Sequence, residues 1–238
     1  MARTTGFPTS SNRASSFHAW WGPERSGIVE IGVTFTVTVP PVVDHLYFWA
    51  MQASFGGPLG GRHGAGHLGL MWNPRHPYRG AVNWGGYGSA GRVLDGIPAG
   101  LASSTGNQNT FDFRWDPARP YRLRVRRVEQ GWEGSVTDAD GNTTVVRTIT
   151  AGGSRLTDVA VWSEVFARCD DPPVTVEWTD PVLVDTRDQE VRPDRVRLTY
   201  QTAERGGCDN TATTIQSGRL EQSTTTVRPN RDGDVLAW

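Results

Sequence analysis

Between Glu30 and Val39 every second residue is apolar: Ile31, Val33, Phe35, Val37 and Val39 alternate with Gly32, Thr34, Thr36 and Thr38, and Pro40-Pro41 follow. Period-two alternation puts one set on each face of an extended strand. Proline has no N–H to continue a ladder, so the pair marks the strand's end. Similar segments recur at His45 to Phe55, His67 to Trp72, Ala81 to Tyr87, Thr110 to Trp115, Tyr121 to Val128, Gly131 to Thr137, Thr143 to Ile149, Leu156 to Ala167, Val174 to Trp178 and Val196 to Gln201. No segment of comparable length repeats its apolar residues at the 3.6 spacing of a helix. The expected class is all-β, with two antiparallel sheets packed as a sandwich.

Two connections carry turn chemistry. Asp138-Ala-Asp-Gly-Asn142 joins two alternating segments and has a glycine for positive φ, which predicts a hairpin. Phe55 to Gly66 holds six glycines and reads as a mobile loop. Residues 1–16 are polar and read as a flexible tail, leaving residues 17–238 as one β-sandwich domain, a size that such folds commonly reach undivided.

A net charge of −1 supplies no field to recruit nucleic acid or an anionic membrane. All 24 positive charges are arginine, so a lysine base or Schiff base is excluded, whereas bidentate anion recognition by guanidinium remains available. With no long apolar run and no hydrophobic leader in the polar start, the expected location is cytoplasmic, or secreted if a leader has been removed. Cys169 and Cys208 close a loop of about 40 residues in an oxidising compartment or stay as buried thiols in a reducing one. No metal or cofactor signature is present, and the oligomeric state is left open.

Ten tryptophans spread over the strand segments suggest ring surface kept for a flat or apolar ligand. The candidate cleft combines Trp49, Gln52, Asn83, Trp84 and Trp162 as ligand-binding residues with His67 and Glu164 as acid or base. Gln52 alternates away from Trp49, so both meet one cleft only across a bulge. Trp162 and Glu164 share a face, and burial in that apolar stretch would raise the Glu164 pKa. His63 and His67 lack the helix that an i, i+4 metal pair requires. Asp138, Asp140 and Asn142 form only a fragment of a calcium loop. Arg122, Arg124 and Arg126 share a strand face, read as solvated or as an anion patch.

The set Phe17-His-Ala-Trp-Trp21, Tyr47-Phe-Trp-Ala50, Gly66-His-Leu-Gly-Leu70, Ala81-Val-Asn-Trp84, Trp162-Ser-Glu-Val-Phe166 and Gly206-Gly-Cys-Asp-Asn-Thr211 resembles an uncharacterised bacterial domain family related to the concanavalin-like lectin and glucanase sandwiches. The resemblance implies a jelly roll with a concave ligand face. The glucanases' cluster of acids on one strand is missing. The expectation is small-molecule or saccharide binding, with a cytoplasmic cyclase or isomerase as the alternative use of the same cleft.

Overall fold

The computed structural model describes residues 2–22, 27–57 and 60–238. Seventeen strands follow in chain order: β1 Ser15–Trp21, β2 Ile28–Val39, β3 Tyr47–Gly57, β4 Gly60–Trp72, β5 Gly80–Gly88, β6 Gly96–Pro98, β7 Thr110–Asp112, β8 Tyr121–Val128 and β9 Gly131–Thr137; then β10 Thr143–Ile149, β11 Arg155–Val165, β12 Thr175–Asp185, β13 Glu190–Val191, β14 Arg195–Tyr200, β15 Ala212–Gln216, β16 Arg219–Ser223 and β17 Val235–Ala237. Hydrogen-bonded neighbours run β17-β14-β1-β11-β3-β4-β5-β7 in a front sheet and β15-β16-β12-β2-β8-β9-β10-β6 in a back sheet. All of these pairings are antiparallel, and one bridge, Leu156 to Ile28, joins the sheets. The result is the expected all-β, two-sheet jelly-roll sandwich.

The core lies between the sheets and is aromatic. From the front sheet come Trp49, Phe55 and Trp84; from the back sheet come Phe35, Trp132 and Trp178. Phe35 meets Trp178 at 4.9 Å and Trp49 at 5.8 Å, and Phe55 stacks on Trp132 at 5.2 Å. Trp84 crosses the whole interior, donating its indole N–H to the Trp132 carbonyl at 3.0 Å. It fits because two glycines face it: a Cβ on Gly66 or on Gly134 would come within 2.6 Å of its ring.

Those contacts correct the reading of Phe55 to Gly66 as a loop. β3 and β4 run through most of it, Gly66 pairing with Ala53 and Ala65 with Ser54, while the centre at Pro58 and Leu59 lies outside the described residues. Gly66 is required there for close approach to Trp84, whereas Gly61 and Gly64 hold positive φ of +86 and +137. The hairpin at Asp138–Asn142 forms as expected, with Gly141 at φ +86 and Asp138 Oδ1 accepting the N–H groups of Asp140 and Asn142 at 2.9 Å each. β12 passes the expected end at Trp178 because a bulge at Asp180-Pro181 absorbs the missing proline N–H.

The N-terminal stretch, expected as a tail, is laced into the sandwich. Arg3 exchanges backbone and carboxylate hydrogen bonds with Asp209, Cys169 N–H donates to the Gly6 carbonyl, and Thr9 N–H donates to the Gly206 carbonyl. Cys169 and Cys208 form a disulfide beside these contacts. In the chain-entropy account, a crosslink enclosing 39 residues stabilises the fold by about 4 kcal/mol.

The slot around Trp84 makes a direct prediction. Gly134→Ala forces a methyl into the indole and destabilises the protein by about 1–3 kcal/mol in urea unfolding. A loss below about 0.5 kcal/mol would show that the slot has slack.

Candidate functional site

Every core residue of a front-sheet strand leaves its neighbours pointing outward, and that outer face carries the candidate site. In register across the sheet, one row reads Thr199, His18, Trp162, Ala50, Gly69 and Asn83; the next reads Arg197, Trp20, Ala160, Gln52 and His67; a third contains Ser16, Glu164, Phe48 and Met71. Phe48, Ala50, Met71, Ala81 and Trp162 form a small apolar cluster of their own, separate from the main core.

Trp162 is the hub of this face. His18 stacks on it at 5.5 Å, His67 meets it edge-on at 5.3 Å and Phe48 at 5.1 Å. Covered in this way it is 5% exposed, so it is a floor under the site more than a contact surface. Trp20 continues the stack on the far side of His18, with ring centroids 5.6 Å apart and planes within 19°. Its N–H donates to Thr199 Oγ1 at 3.0 Å, which fixes the ring.

The polar groups at the centre of this face are nearly all neutral. His67 Nε2 lies 3.1 Å from Gln52 Oε1, an arrangement in which the neutral ring keeps its proton on Nε2 and presents Nδ1 as acceptor. Burial pushes the His67 pKa down to about 4, and burial together with the neighbouring His67 does the same to His18. Glu164 is the acid of the face. Burial raises its pKa, opposed by hydrogen bonds from Asn12 Nδ2 at 2.7 Å and Ser16 Oγ at 3.4 Å, all to Oε1.

The expected site residues divide. Gln52, His67, Trp162 and Glu164 come together on the outer face. Trp49 and Trp84 do not: at 1% and 0% exposure they point into the core, as the pleat demands of residues an odd number of positions from Gln52 and Asn83. Asn83 faces outward but is committed internally, donating to the His67 carbonyl at 2.8 Å and accepting from Thr110 Oγ1 at 3.0 Å, so it braces β4 against β5 and β7. Glu164 and His67 stand four residues apart along the strand direction, ~13 Å, and do not flank one bond as an acid–base pair.

Sequence reasoning missed β1. Ser16, His18 and Trp20 alternate with Ser15, Phe17, Ala19 and Trp21, but aromatic rings on both faces hide the period, and only the structure shows which ring points out. His76 is structural, its Nδ1 2.6 Å from Asp112 Oδ1, tying the turn at 73–79 to the strand β7. On the back sheet Arg124 pairs with Glu30 at 2.6 Å, Arg126 with Glu133 at 2.7 Å and Arg122 with Asp180 at 3.3 Å, so that run is a solvated, internally paired face and not an anion patch. The acidic side chain of Asp138 is likewise taken up by its own turn.

No family model matches the sequence, and no curated protein does. Among solved structures the chain is similar to scytalido-glutamic peptidase with a peptide-based transition-state analogue, at 11% identity and a TM-score of 0.51 over 89% of this chain and 98% of that one. It is also similar to SCP-B, a member of the eqolisin family of peptidases in complex with the tripeptide Ala-Ile-His, at 10% identity and a TM-score of 0.50 over the same shares. Peanut lectin superposes more loosely, at 10% identity and a TM-score of 0.32 over 93% of this chain and 84% of the lectin. At these identities the likeness is one of fold.

The buried histidines make the face acid-sensitive. A histidine held near 4 in the fold titrates near 6.5 once unfolded, so between those values the unfolded chain binds more protons and stability falls as pH falls; above 6.5 the effect is absent. Glu164, with its raised pKa, acts in the opposite sense and is relieved by acid. His18→Gln is therefore expected to flatten the decline in melting temperature between pH 6.5 and 4. An unchanged slope would contradict the burial assigned to His18.

Proposed function

We propose that the outer face of the front sheet binds a saccharide, laid across the strands over Trp20 and His18 with Gln52 and His67 as its hydrogen-bonding groups. The contrast between the two sheets carries this reading. The back sheet's outer face is a ladder of arginine–carboxylate pairs, the ordinary composition of a solvated surface. The front sheet's outer face instead offers stacked rings, neutral imidazoles and an amide, the mixture that recognises sugar hydroxyls and C–H faces.

A second reading is supported by Glu164: a carboxyl with one oxygen held by Asn12 and a raised pKa is suited to donate a proton, so the same face would serve an enzyme. The two peptidases of like fold carry peptide ligands, which makes peptides the ligand class to assay beside saccharides. No helix among the described residues is long and apolar enough to cross a membrane. The Cys169–Cys208 disulfide supports an oxidising compartment as the place of action rather than the cytoplasm.

Calorimetric titration with a panel of oligosaccharides tests the reading. Trp20→Ala should weaken the best ligand about 2- to 10-fold, the loss of one stacking contact, while Arg124→Gln on the back sheet leaves affinity unchanged. Equal affinity in the Trp20→Ala protein would remove this face as the site. Glu164→Gln separates the second reading, since it should abolish turnover and spare binding.

A further inference from the structure

Past Glu164 the outer side of the front sheet ends in a cavity. Phe166, two residues on, alternates with the buried Val165 and Ala167 and donates its N–H to the Leu46 carbonyl, so it continues the side that carries Glu164. Against it lies a cavity of about 690 Å³, within the range of small-ligand pockets, walled by Phe7, Ser10 and Arg13 of the N-terminal stretch on one side and by His45 and Arg75 on the other. All of its lining residues are described, and none of them is a carboxylate. Neither Arg13 nor Arg75 pairs with an acid among the described residues. The acids of the neighbouring segments have partners of their own: Asp44 lies 2.7 Å from Arg79, Asp170 lies 3.2 Å from Arg168, and Asp171 faces His45 at 3.9 Å.

Both arginine-bearing turns are fixed in place. Arg13 sits at φ +60, a left-handed conformation disfavoured for a residue with a side chain, and is held there by its N–H to the Ser10 carbonyl and by Ser10 Oγ donating to the Ala14 carbonyl at 2.6 Å. The turn carrying Arg75 is anchored by His76, whose Nδ1 lies 2.6 Å from Asp112 Oδ1. Phe7 is set by His45, edge-on at 5.3 Å, and by the Arg168 guanidinium over its ring at 5.5 Å, yet it stays 47% exposed. We infer that this cavity binds a small aromatic carboxylate, at a site separate from the saccharide row of Trp20, Gln52 and His67. The rings of Phe7 and Phe166 take the apolar body, and the planar forks of Arg13 and Arg75 match the two carboxylate oxygens. Phosphate is the poorer fit, because backbone N–H groups that could cradle it are already used: those of Thr9, Arg13, Arg75 and Phe166 donate to Gly206, Ser10, Asn73 and Leu46, and Pro8 has none.

The experiment titrates the full chain by calorimetry with 2-naphthoate, cinnamate and indole-3-acetate, each beside its neutral amide, which keeps the rings and removes the charge, and with acetate, which keeps the charge and removes the rings. The expected result is that at least one aromatic acid binds about 10-fold tighter than its amide and far tighter than acetate. The preference for the acid is expected to vanish in an Arg13→Gln/Arg75→Gln double variant whose melting temperature and affinity for the amide are unchanged. Equal binding of acid and amide, or no binding of any of the three acids, would overturn the inference. A preference that survives the double variant would overturn the assignment to this cavity. Either result leaves the saccharide reading in place, since that reading rests on other residues.

Discussion

Successive residues of a strand point to opposite sides of its sheet, so burying Trp49, Phe55 and Trp84 between the two sheets commits Phe48, Gln52 and Asn83 to the other side. The site on the outer face is the complement of the core. A one-residue slip of β3 would bury Gln52 and expose Trp49, and the aromatic interior forbids it. The two outer faces differ because their residues differ. Arginine and glutamate on β2, β8 and β9 make one a paired ionic surface, whereas Trp20, His18, Trp162 and His67 make the other a stack of uncharged rings.

The alternating segments from Glu30 to Gln201 were legible in the sequence because a strand packed on one side writes its period into its residues, and the Asp138 hairpin because its turn needs glycine and aspartate at fixed places. β1 was not legible, since Phe17, His18, Trp20 and Trp21 put rings on both faces. Nor was the first half of β4, where Gly66, which serves the packing of Trp84, looks the same in sequence as glycines that serve a turn. Within the site, Gln52, His67, Trp162 and Glu164 could be found from their strands. Trp49 and Trp84 were misplaced because tryptophan suits a core and a ligand platform equally, and only the pleat decides between them.

Long-range connections complete the face. Asn12, brought to Glu164 by the N-terminal stretch that Asp209, Gly206 and Cys169 hold in place, shields a carboxyl that would otherwise meet water. Thr199 on β14 fixes Trp20. Contacts spanning from 152 to 206 positions along the chain therefore set the electrostatics of a surface whose individual strands show nothing of it.

The central claim is that ligand occupies the outer face of the front sheet. Hydrogen–deuterium exchange with and without a bound oligosaccharide tests it most directly, since every strand of the sandwich reports separately. The account predicts slower exchange in β1, β3, β4 and β11, with β8, β9 and β10 unchanged. Protection confined to the back sheet, or to the cavity bounded by Phe7, Arg13, His45, Arg75 and Phe166, would contradict it.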